Sequence, residues 1–402
     1  MMYMERKQMF KFRLYPNAEQ KRTIDIHLEI CRRIYNELLG IKIETYNHTG
    51  KSLGKYDLND CLTQFKTERK NLKIIHSQVG QNVSDRIYKA FYNMFARIKR
   101  GEKAGFPRFK GKNRYKSITY TQSGFKFFND KKLSVSKIGD INIKKHRDFS
   151  EKNRKLIKIK TMLIQKTPTG KYYAVFSCVV DVKPRKASNK SIGIDVGLKS
   201  FLATSEGTTI EHPKYYRKAE DKLAMHQRRL SRKKKRSNNR LKAKQKVALL
   251  HEKTANQRMD FIHKLSCDFA KNYGLIAIED LAVKNMVKNH NLSKSINDSG
   301  WSLFANQLLY KAENAGCVVH KSDRFFPSTQ LCSACGNRQD MPLEKRTYKC
   351  SCGLVMDRDI NASKNLLNDA LKNTAGTAGF NACGDDGVLS SLKQEATQLV
   401  GR

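Results

Sequence analysis

The alternation of apolar and polar residues predicts a β-rich region in the first half of the chain. Residues 4–15 alternate and predict a strand that ends at Pro16. Residues 117–182 contain short alternating runs separated by turn residues, which predict further strands. These runs favour a small β-barrel, and we expect the strand at residues 4–15 to join it.

A helical pattern interrupts these strands. Asn17 and Gln20 have the spacing of a capping box, and the apolar residues that follow recur at helical intervals. A second apolar face lies later in the segment, and another helix is expected near residues 56–72. The two faces consist of Ile24, Leu28, Cys31, Tyr35 and Leu38, and of Val83, Ile87, Phe91, Phe95 and Ile98. Residues 17–100 are therefore predicted to form a helical unit inserted between strands.

From about residue 190 the pattern changes to strands that alternate with helices, which is typical of an α/β domain. Two runs, SIGIDVGL and SFLATSEGTTIE, predict a hairpin, and the run LIAIED predicts a later strand. The predicted helices cover residues 214–250, as one or two segments, 252–272 and 301–314, and a further strand is predicted at 316–321. The final stretch is rich in small residues and is expected to be disordered.

Charge indicates the class of partner. The chain has 79 Lys+Arg against 37 Asp+Glu, a formal net charge of +42, which favours a polyanion such as nucleic acid. An anionic membrane is the weaker interpretation, because no stretch approaches the roughly 18 apolar residues that a spanning helix needs. The N-terminal residues lack the apolar core of a signal peptide, so we expect a cytoplasmic location and reduced cysteines.

Two segments are candidates for nucleic-acid contact. Residues 101–116 interleave cations with aromatic rings, a combination that can hold phosphates and bases. Residues 214–250 contain the densest positive run of the chain. A solvated basic loop is the alternative for the first segment, and a nuclear-targeting or disordered stretch is the alternative for the second. The candidate contact residues are Arg108, Lys110, Lys112, Arg114, Lys116, Arg228, Arg229, Arg232, Lys233, Lys234, Lys235 and Arg236.

Three acidic residues suggest metal chemistry on phosphates. Asp195 and Glu279 end apolar runs that predict strands, and Asp359 begins a predicted helix. Phosphodiester hydrolysis needs an activated water and a stabilised leaving oxygen, and two divalent ions about 3.5–4 Å apart supply both. Each acid alone has a structural alternative as a turn residue, an ion-pair partner or a helix N-cap. Asp280 competes with Glu279, and spacing does not choose between Asp357 and Asp359.

Four clustered cysteines predict a structural zinc site. Cys332 and Cys335 form a CxxC pair, and Cys350 and Cys352 form a CxC pair. Two such pairs are a zinc signature, although the second is one residue shorter than usual. A redox-active CxxC pair is the chief alternative. No His lies between residues 332 and 352 to replace a thiolate, so we expect four cysteine ligands.

Over residues 10–370 the chain resembles the TnpB family, the transposon-encoded RNA-guided DNA endonucleases also called insertion-sequence OrfB proteins. These are relatives of the compact type V CRISPR effectors. The resemblance rests on long motifs in a fixed order: KFRLYPNAEQ, CRRIYNELL, FPRFKGK, IGIDVGLKSFLATSEG, LIAIEDLAVKNM, FFPSTQLCSACGNRQ and CGLVMDRDINASKNL.

The resemblance implies a multidomain α+β architecture. A wedge-type β-barrel would comprise residues 1–16 and 117–186, with a helical recognition insertion and its basic loop at 17–116. A RuvC-like nuclease domain of the RNase H-like fold would comprise residues 190–324 and 354–370, with a zinc ribbon at 325–353. Residues 371–402 would be a disordered tail.

The resemblance also implies a function. Asp195, Glu279 and Asp359 match the metal-binding acids of the family, which implies a nuclease that uses Mg²⁺ (or Mn²⁺) together with structural Zn²⁺. The implied partners are a guide RNA and target DNA, in the cytoplasm of a bacterium or archaeon and at its nucleoid. The alternatives are a catalytically silent RNA-guided repressor and an accessory transposition protein. Because all three acids are retained, the sequence favours an active enzyme, and a monomer is compatible with it.

Overall fold

The computed structural model divides the chain into two compact units, Met1–Lys183 and Pro184–Arg402. It describes residues 4–183, 188–342 and 344–375. Within these ranges, none of the helices is long and apolar enough to cross a bilayer.

The first unit is built on a seven-stranded antiparallel sheet with the strand order β2-β6-β7-β1-β5-β4-β3. The predicted strand at residues 4–15 is confirmed as β1, and it pairs with β7 and β5. Alternate residues of β1 are buried, among them Phe10, Phe12 and Leu14. The strands are β1 (Met4–Tyr15), β2 (Ser117–Tyr120), β3 (Phe125–Asn129), β4 (Lys132–Val135), β5 (Gly139–Lys144), β6 (Arg154–Lys166) and β7 (Tyr172–Val182).

This sheet is strongly curled. Phe127 on β3 and Phe176 on β7 are four strand positions apart, yet their ring centroids are 5.2 Å apart. A flat sheet with strands about 4.8 Å apart would separate them by about 19 Å. Among the described residues, the edge strands β2 and β3 do not pair with each other. The sheet is therefore a curled antiparallel sheet, and the closed barrel remains a prediction.

Three helices follow β1 in the chain: α1 (Ala18–Thr49), α2 (Lys55–Glu68) and α3 (Ser77–Lys99), with a short 3₁₀ helix at Lys70–Ile74. The predicted capping box between Asn17 and Gln20 is confirmed at the start of α1. The predicted apolar face of α3 is only partly correct, because Phe95 and Ile98 are each 55% exposed. The face contributes to the core as far as Phe91.

The second unit contains a five-stranded mixed sheet with the order β10-β9-β8-β11-β12. Its strands β8, β11 and β12 are parallel, and β9 and β10 extend them as antiparallel strands. The strands are β8 (Ser191–Val196), β9 (Ser200–Thr204), β10 (Thr209–Glu211), β11 (Leu275–Glu279) and β12 (Val318–Ser322), and a separate ribbon pairs β13 (Thr347–Lys349) with β14 (Val355–Asp357).

Helices cover both faces of this sheet. The side chains of Ile194 and Ile278 pack into a core with α5 and α8, whereas Leu275 and Ala277 pack against α9 on the other face. This arrangement agrees with the predicted α/β pattern. The helices are α4 (Tyr215–Ser231), α5 (Asn238–Asn272), α6 (Val283–Met286), α7 (His290–Ser299), α8 (Trp301–Ala315) and α9 (Arg358–Ala375).

Two sequence predictions for this unit were wrong in detail. The expected helix boundary near residues 250–252 does not exist, since α5 runs unbroken from residue 238 to 272. No Gly or Pro interrupts that stretch. The tail predicted to be disordered from residue 371 begins inside α9, which continues to Ala375. Residues 376–402 of that predicted tail lie outside the described residues.

Candidate active site

The parallel strands β8 and β11 bring Asp195 and Glu279 to the same edge of the sheet. Ile194 lies opposite Ile278 in the register of the pair, so the next residue on each strand is an acid. Because side chains alternate along a strand, both acids lie on the face opposite the Ile194 side. Asp195 is only 8% exposed. This edge, outside the carboxyl ends of parallel strands, is where α/β sheets usually bind ligands.

Helix α9 reaches this edge because Gly193 lets it lie directly on β8. A Cβ atom at Gly193 would lie 1.9 Å from the carbonyl oxygen of Ser363 and 3.0 Å from the Cβ of Leu367. Only glycine, which lacks a Cβ atom, allows the backbones of β8 and α9 to approach this closely. Asp359, in the first turn of α9, is thereby brought towards Asp195.

The three acids influence one another electrostatically. Burial raises the pKa of Asp195 well above its usual value of 3.8, the negative charges of Glu279 and Asp359 raise it further, and the positive charge of Arg358 opposes them. Burial also raises the pKa of Glu279. Clustering buried carboxylates is costly unless a cation compensates. Carboxylate oxygens are ligands that Mg²⁺ prefers, so this donor set fits a divalent metal.

Neighbouring contacts give the competing acids other roles. Asp357 accepts hydrogen bonds from the backbone N–H groups of Asp359 (2.8 Å) and Ile360 (3.3 Å), so it caps α9. Asp280 forms an ion pair with Arg324. Asp359 likewise forms an ion pair with Arg358, from which it accepts hydrogen bonds of 3.2 Å. Asp357 therefore serves as a cap, and Glu279, unlike Asp280, is an acid whose charge acts on Asp195. The assignment of Asp195, Glu279 and Asp359 as metal ligands remains a prediction.

Sequence reasoning missed the residues that hold Glu279 in place. Ser328, which is buried, donates a hydrogen bond of 2.7 Å to Oε1 of Glu279, and this bond lowers the pKa of the carboxyl against the effect of burial. Asn365 on α9 donates hydrogen bonds to the carbonyl oxygens of Ser328 (2.8 Å) and Leu331 (2.7 Å). Asn361, one turn earlier and also buried, donates to Leu331 as well. The detectable signal was a pair of asparagines spaced four residues apart, one helical turn, which places both on the same face of α9.

The four predicted zinc ligands converge. The Sγ atoms of Cys332, Cys335, Cys350 and Cys352 all lie within 4.8 Å of one another. The backbone N–H of Cys352 lowers the pKa of the Cys350 thiol to about 6, whereas the neighbouring thiols raise the pKa values of Cys335 and Cys352. Packing the thiols together therefore favours one thiolate at Cys350 and disfavours several at once unless a cation compensates. The short CxC spacing therefore does not prevent a four-thiol cluster. In the described part of the chain, the carboxylates of Asp195, Glu279 and Asp359 are not grouped this tightly.

The first basic segment, residues 101–116, is irregular but anchored. The backbone of Lys110 exchanges hydrogen bonds with the side chain of Asn36 (2.7 and 3.0 Å). Tyr115 is buried beside Tyr35 and is therefore a core residue, whereas Phe109 is exposed. Of the candidate contact residues, Lys110 is partly exposed, and Arg108, Lys112, Arg114 and Lys116 are exposed.

The second basic segment crosses the connection between two helices. Arg228 and Arg229 lie in the last turn of α4, and residues 232–236 form the turn that leads to α5. Arg240 ties this turn together by donating to the carbonyl oxygens of Leu230 (2.8 Å) and Lys233 (2.9 Å). All seven predicted contact residues here are exposed: Arg228, Arg229, Arg232, Lys233, Lys234, Lys235 and Arg236. Their contact with nucleic acid remains a prediction.

Three family models match the chain. Residues 175–290 match the OrfB model of IS605-type elements, described as "Probable transposase", and residues 301–366 match the model described as "Cas12f1-like, TNB domain". Residues 2–51 match a model described as "Helix-turn-helix domain". Within residues 4–51 of that match, the structure contains the strand β1 and the whole of the helix α1.

Whole-length relatives agree with these matches. A Streptomyces pristinaespiralis protein with the provisional name RNA-guided DNA endonuclease is 33% identical over 94% of this chain and 91% of its own length. InsQ of Escherichia coli (strain K12), provisionally named in the same way, is 30% identical over 99% of both chains. The protein in the cryo-EM structure of the Cas12f1–sgRNA–target DNA complex shares the fold, with a TM-score of 0.56 and 14% identity, over 91% of this chain and 99% of its own. The chain therefore belongs to the TnpB family of transposon-encoded, RNA-guided DNA endonucleases.

Proposed function

We propose that this protein is an RNA-guided DNA endonuclease that hydrolyses phosphodiester bonds at the edge formed by Asp195, Glu279 and Asp359. The observation that carries the proposal is that Asp195 is buried and that the charges of the other two acids raise its pKa. RNA guidance and a DNA substrate are supported by the names of the relatives and by the shared fold of Cas12f1, which was solved with both nucleic acids.

The three acids are the residues that would hold Mg²⁺ or Mn²⁺. When bound, the ions would supply an activated water and positive charge at the leaving oxygen. Ser328 orients the carboxylate of Glu279, and Arg358 orients that of Asp359. The burial of Asp195 limits access of bulk water to its carboxylate, which strengthens its attraction for cations. Carboxylates spaced more widely than the thiol cluster suit a metal site that retains water ligands.

The exposed cations of the two basic segments would hold the guide RNA and the target DNA. Lysine and arginine contacts to phosphates release counterions, so binding should weaken steeply as salt increases. Phe109, exposed among the cations of residues 101–116, offers a ring for base stacking.

The cysteine cluster would bind one structural zinc ion in a ribbon at residues 325–353. Four thiolates complete a tetrahedral site, which leaves no open position for catalysis. We further propose that the curled sheet is a wedge-type barrel and that α1–α3 form a recognition insertion. Because DNA is the proposed substrate, we expect the enzyme at the nucleoid of a bacterium or archaeon.

Cleavage of a guide-matched DNA by purified protein with its co-purified RNA tests the proposal. Asp195→Asn and Asp359→Asn should each reduce the single-turnover rate by at least about 100-fold, because each removes a ligand charge. Asp260→Asn, which removes an exposed ion pair with Lys264 on α5, is the matched control and should cut within a few-fold of the wild type.

Two outcomes would contradict the proposal. If Asp195→Asn cleaved DNA as fast as the wild type, Asp195 would not be a ligand of the catalytic metal and the proposed site would be wrong. Tight, guide-dependent binding without any cleavage by the wild type in Mg²⁺ or Mn²⁺ would instead indicate the catalytically silent repressor.

A further inference from the structure

A cavity of about 280 Å³ lies next to Glu279 in the second unit. Its floor is formed by the side chains of Ile194 and Ile278 at the ends of β8 and β11. Helix α8 supplies one wall through Trp301, Phe304 and Ala305. The cavity therefore lies beside the proposed cutting site, on the face of the sheet away from α9.

The lining combines apolar and aromatic walls with a rim that carries both lysines and acids. Lys284 and Lys321, which are both exposed, line the same cavity, as do the exposed amide of Asn306 and Asp280, whose carboxylate lies 4.0 Å from the Lys321 ammonium. Trp301 is 5% exposed, and its indole N–H has no acceptor within the described ranges. A buried indole donor usually has a partner, so this wall is well suited to a ligand that is flat and carries hydrogen-bond acceptors.

The size of the cavity restricts the occupant. Pockets for drug-sized ligands measure about 300–1,000 Å³, so this cavity is slightly smaller than that range and suits a single planar ring system. Lys284 at the rim complements a phosphate beside such a ring. Glu279 ends β11 and lines the cavity, while its carboxylate is held by Ser328 on the α9 face, so the cavity and the proposed metal site meet at the end of this strand.

We propose that this cavity receives one unpaired base of the DNA strand during cleavage. This proposal rests on the proposed nuclease function and adds a subsite to it. Binding of the base beside Trp301 would hold the neighbouring phosphodiester against the acids, and burial of the base would select single-stranded over paired DNA. The subsite would thus help to determine which phosphate along an unwound strand is cut.

Variants that fill the cavity test this subsite. Ala305→Leu places a larger apolar side chain at a partly buried position of the α8 wall. Ser302→Leu places the same side chain at an exposed position of that wall. Ala248→Leu, at a partly exposed position of α5 that does not line the cavity, is the matched control. Melting temperatures identify any variant that is not folded.

The first readout requires no cleavage. A single 2-aminopurine is moved along a guide-matched DNA strand, and its fluorescence is measured with the protein–RNA complex in EDTA. We expect quenching at one position in the wild type and in Ala248→Leu, and loss of that quenching in both filling variants.

The second readout is cleavage in Mg²⁺. An abasic site at the quenched position should lower the kcat/KM of the wild type about tenfold, as expected for one lost base-stacking contact. The filling variants should cut normal DNA about tenfold more slowly and show no further loss on the abasic strand, because the same contact is already missing.

Quenching that is equal at all positions, or that survives in both filling variants, would overturn the proposal. Quenching of a free 2-aminopurine deoxynucleotide but not of the strand would assign the cavity to a free nucleotide and would also overturn it. If the wild type shows the position-specific quenching but does not cut, the nuclease function fails while the base subsite stands.

Discussion

Gly193→Ala is the sharpest test of how the site is assembled. The new Cβ atom would lie 1.9 Å from the carbonyl oxygen of Ser363, and an ordinary contact begins at 3.4 Å, so α9 must move away by about 1.5 Å. Overpacking of this kind costs about 1–3 kcal/mol of stability. A misplacement of about 1 Å can reduce catalysis about 100-fold. Because Asp359 lies in the first turn of α9, we expect at least a 100-fold slower single-turnover cleavage with guide RNA still bound.

Cleavage is measured on guide-matched DNA in Mg²⁺, and stability is measured by thermal melting of the same samples. Gly40→Ala is the control, since a Cβ in the middle of α1 would meet nothing within 4 Å. It should leave cleavage unchanged and stabilise the helix by up to about 1 kcal/mol. Wild-type cleavage by Gly193→Ala would refute the argument. A lower melting temperature with unchanged cleavage per folded molecule would limit Gly193 to a role in stability.

Three further predictions concern charge, positioning and metal. Asp195 binds its proton more tightly in the folded than in the unfolded protein, so its contribution to stability falls as the pH rises above its usual pKa of 3.8. Asp195→Asn should therefore melt at a higher temperature than the wild type at pH 7.5 without divalent ions. Mg²⁺ should raise the melting temperature of the wild type but not that of Asp195→Asn. Equal melting curves of the two proteins under both conditions would contradict this prediction. Ser328→Ala should raise the pKa of Glu279 and shift the acidic limb of the cleavage pH profile to higher pH, whereas Ser328→Thr should restore it; an unshifted limb in Ser328→Ala would count against the positioning role. Cys350→Ser should lower bound zinc from about one equivalent, measured by elemental analysis, whereas Cys317→Ser outside the cluster should not; zinc well below one equivalent in the folded wild type would rule out the site.

The network around Ser328 connects the proposed carboxylate site with the cysteine cluster through the chain. Ser328 contacts Glu279, and the same segment continues to Cys332, one of the clustered thiols. Asn361 and Asn365 fasten this segment to α9, the helix that begins with Asp359. If the proposed zinc ion binds the cluster, we expect it to stabilise the segment that orients Glu279 as well as its own loop.

Local patterns determined much of this fold. The strand β1, the capping box of α1 and the apolar runs that end in Asp195 and Glu279 depend on neighbouring residues, which the sequence displays directly. The cysteine spacing is also a local pattern, because the two cysteines of each pair lie on one short turn and are close together whatever the rest of the fold. The resemblance to the family added the choice of Asp359 over Asp357.

Only the tertiary structure decided which features meet. The approach of α9 to Gly193, the hydrogen bond from Ser328 to Glu279 and the cavity beside Trp301 all join residues far apart in the chain. Tertiary packing also determines that Phe95 on α3 is exposed. The apolar pattern of the helix continues past Phe91, but the pattern does not show where the neighbouring core residues end. A sequence records which residues favour a helix, a strand or burial, but proximity between distant segments is set by packing, and the chemistry of this site depends on that proximity.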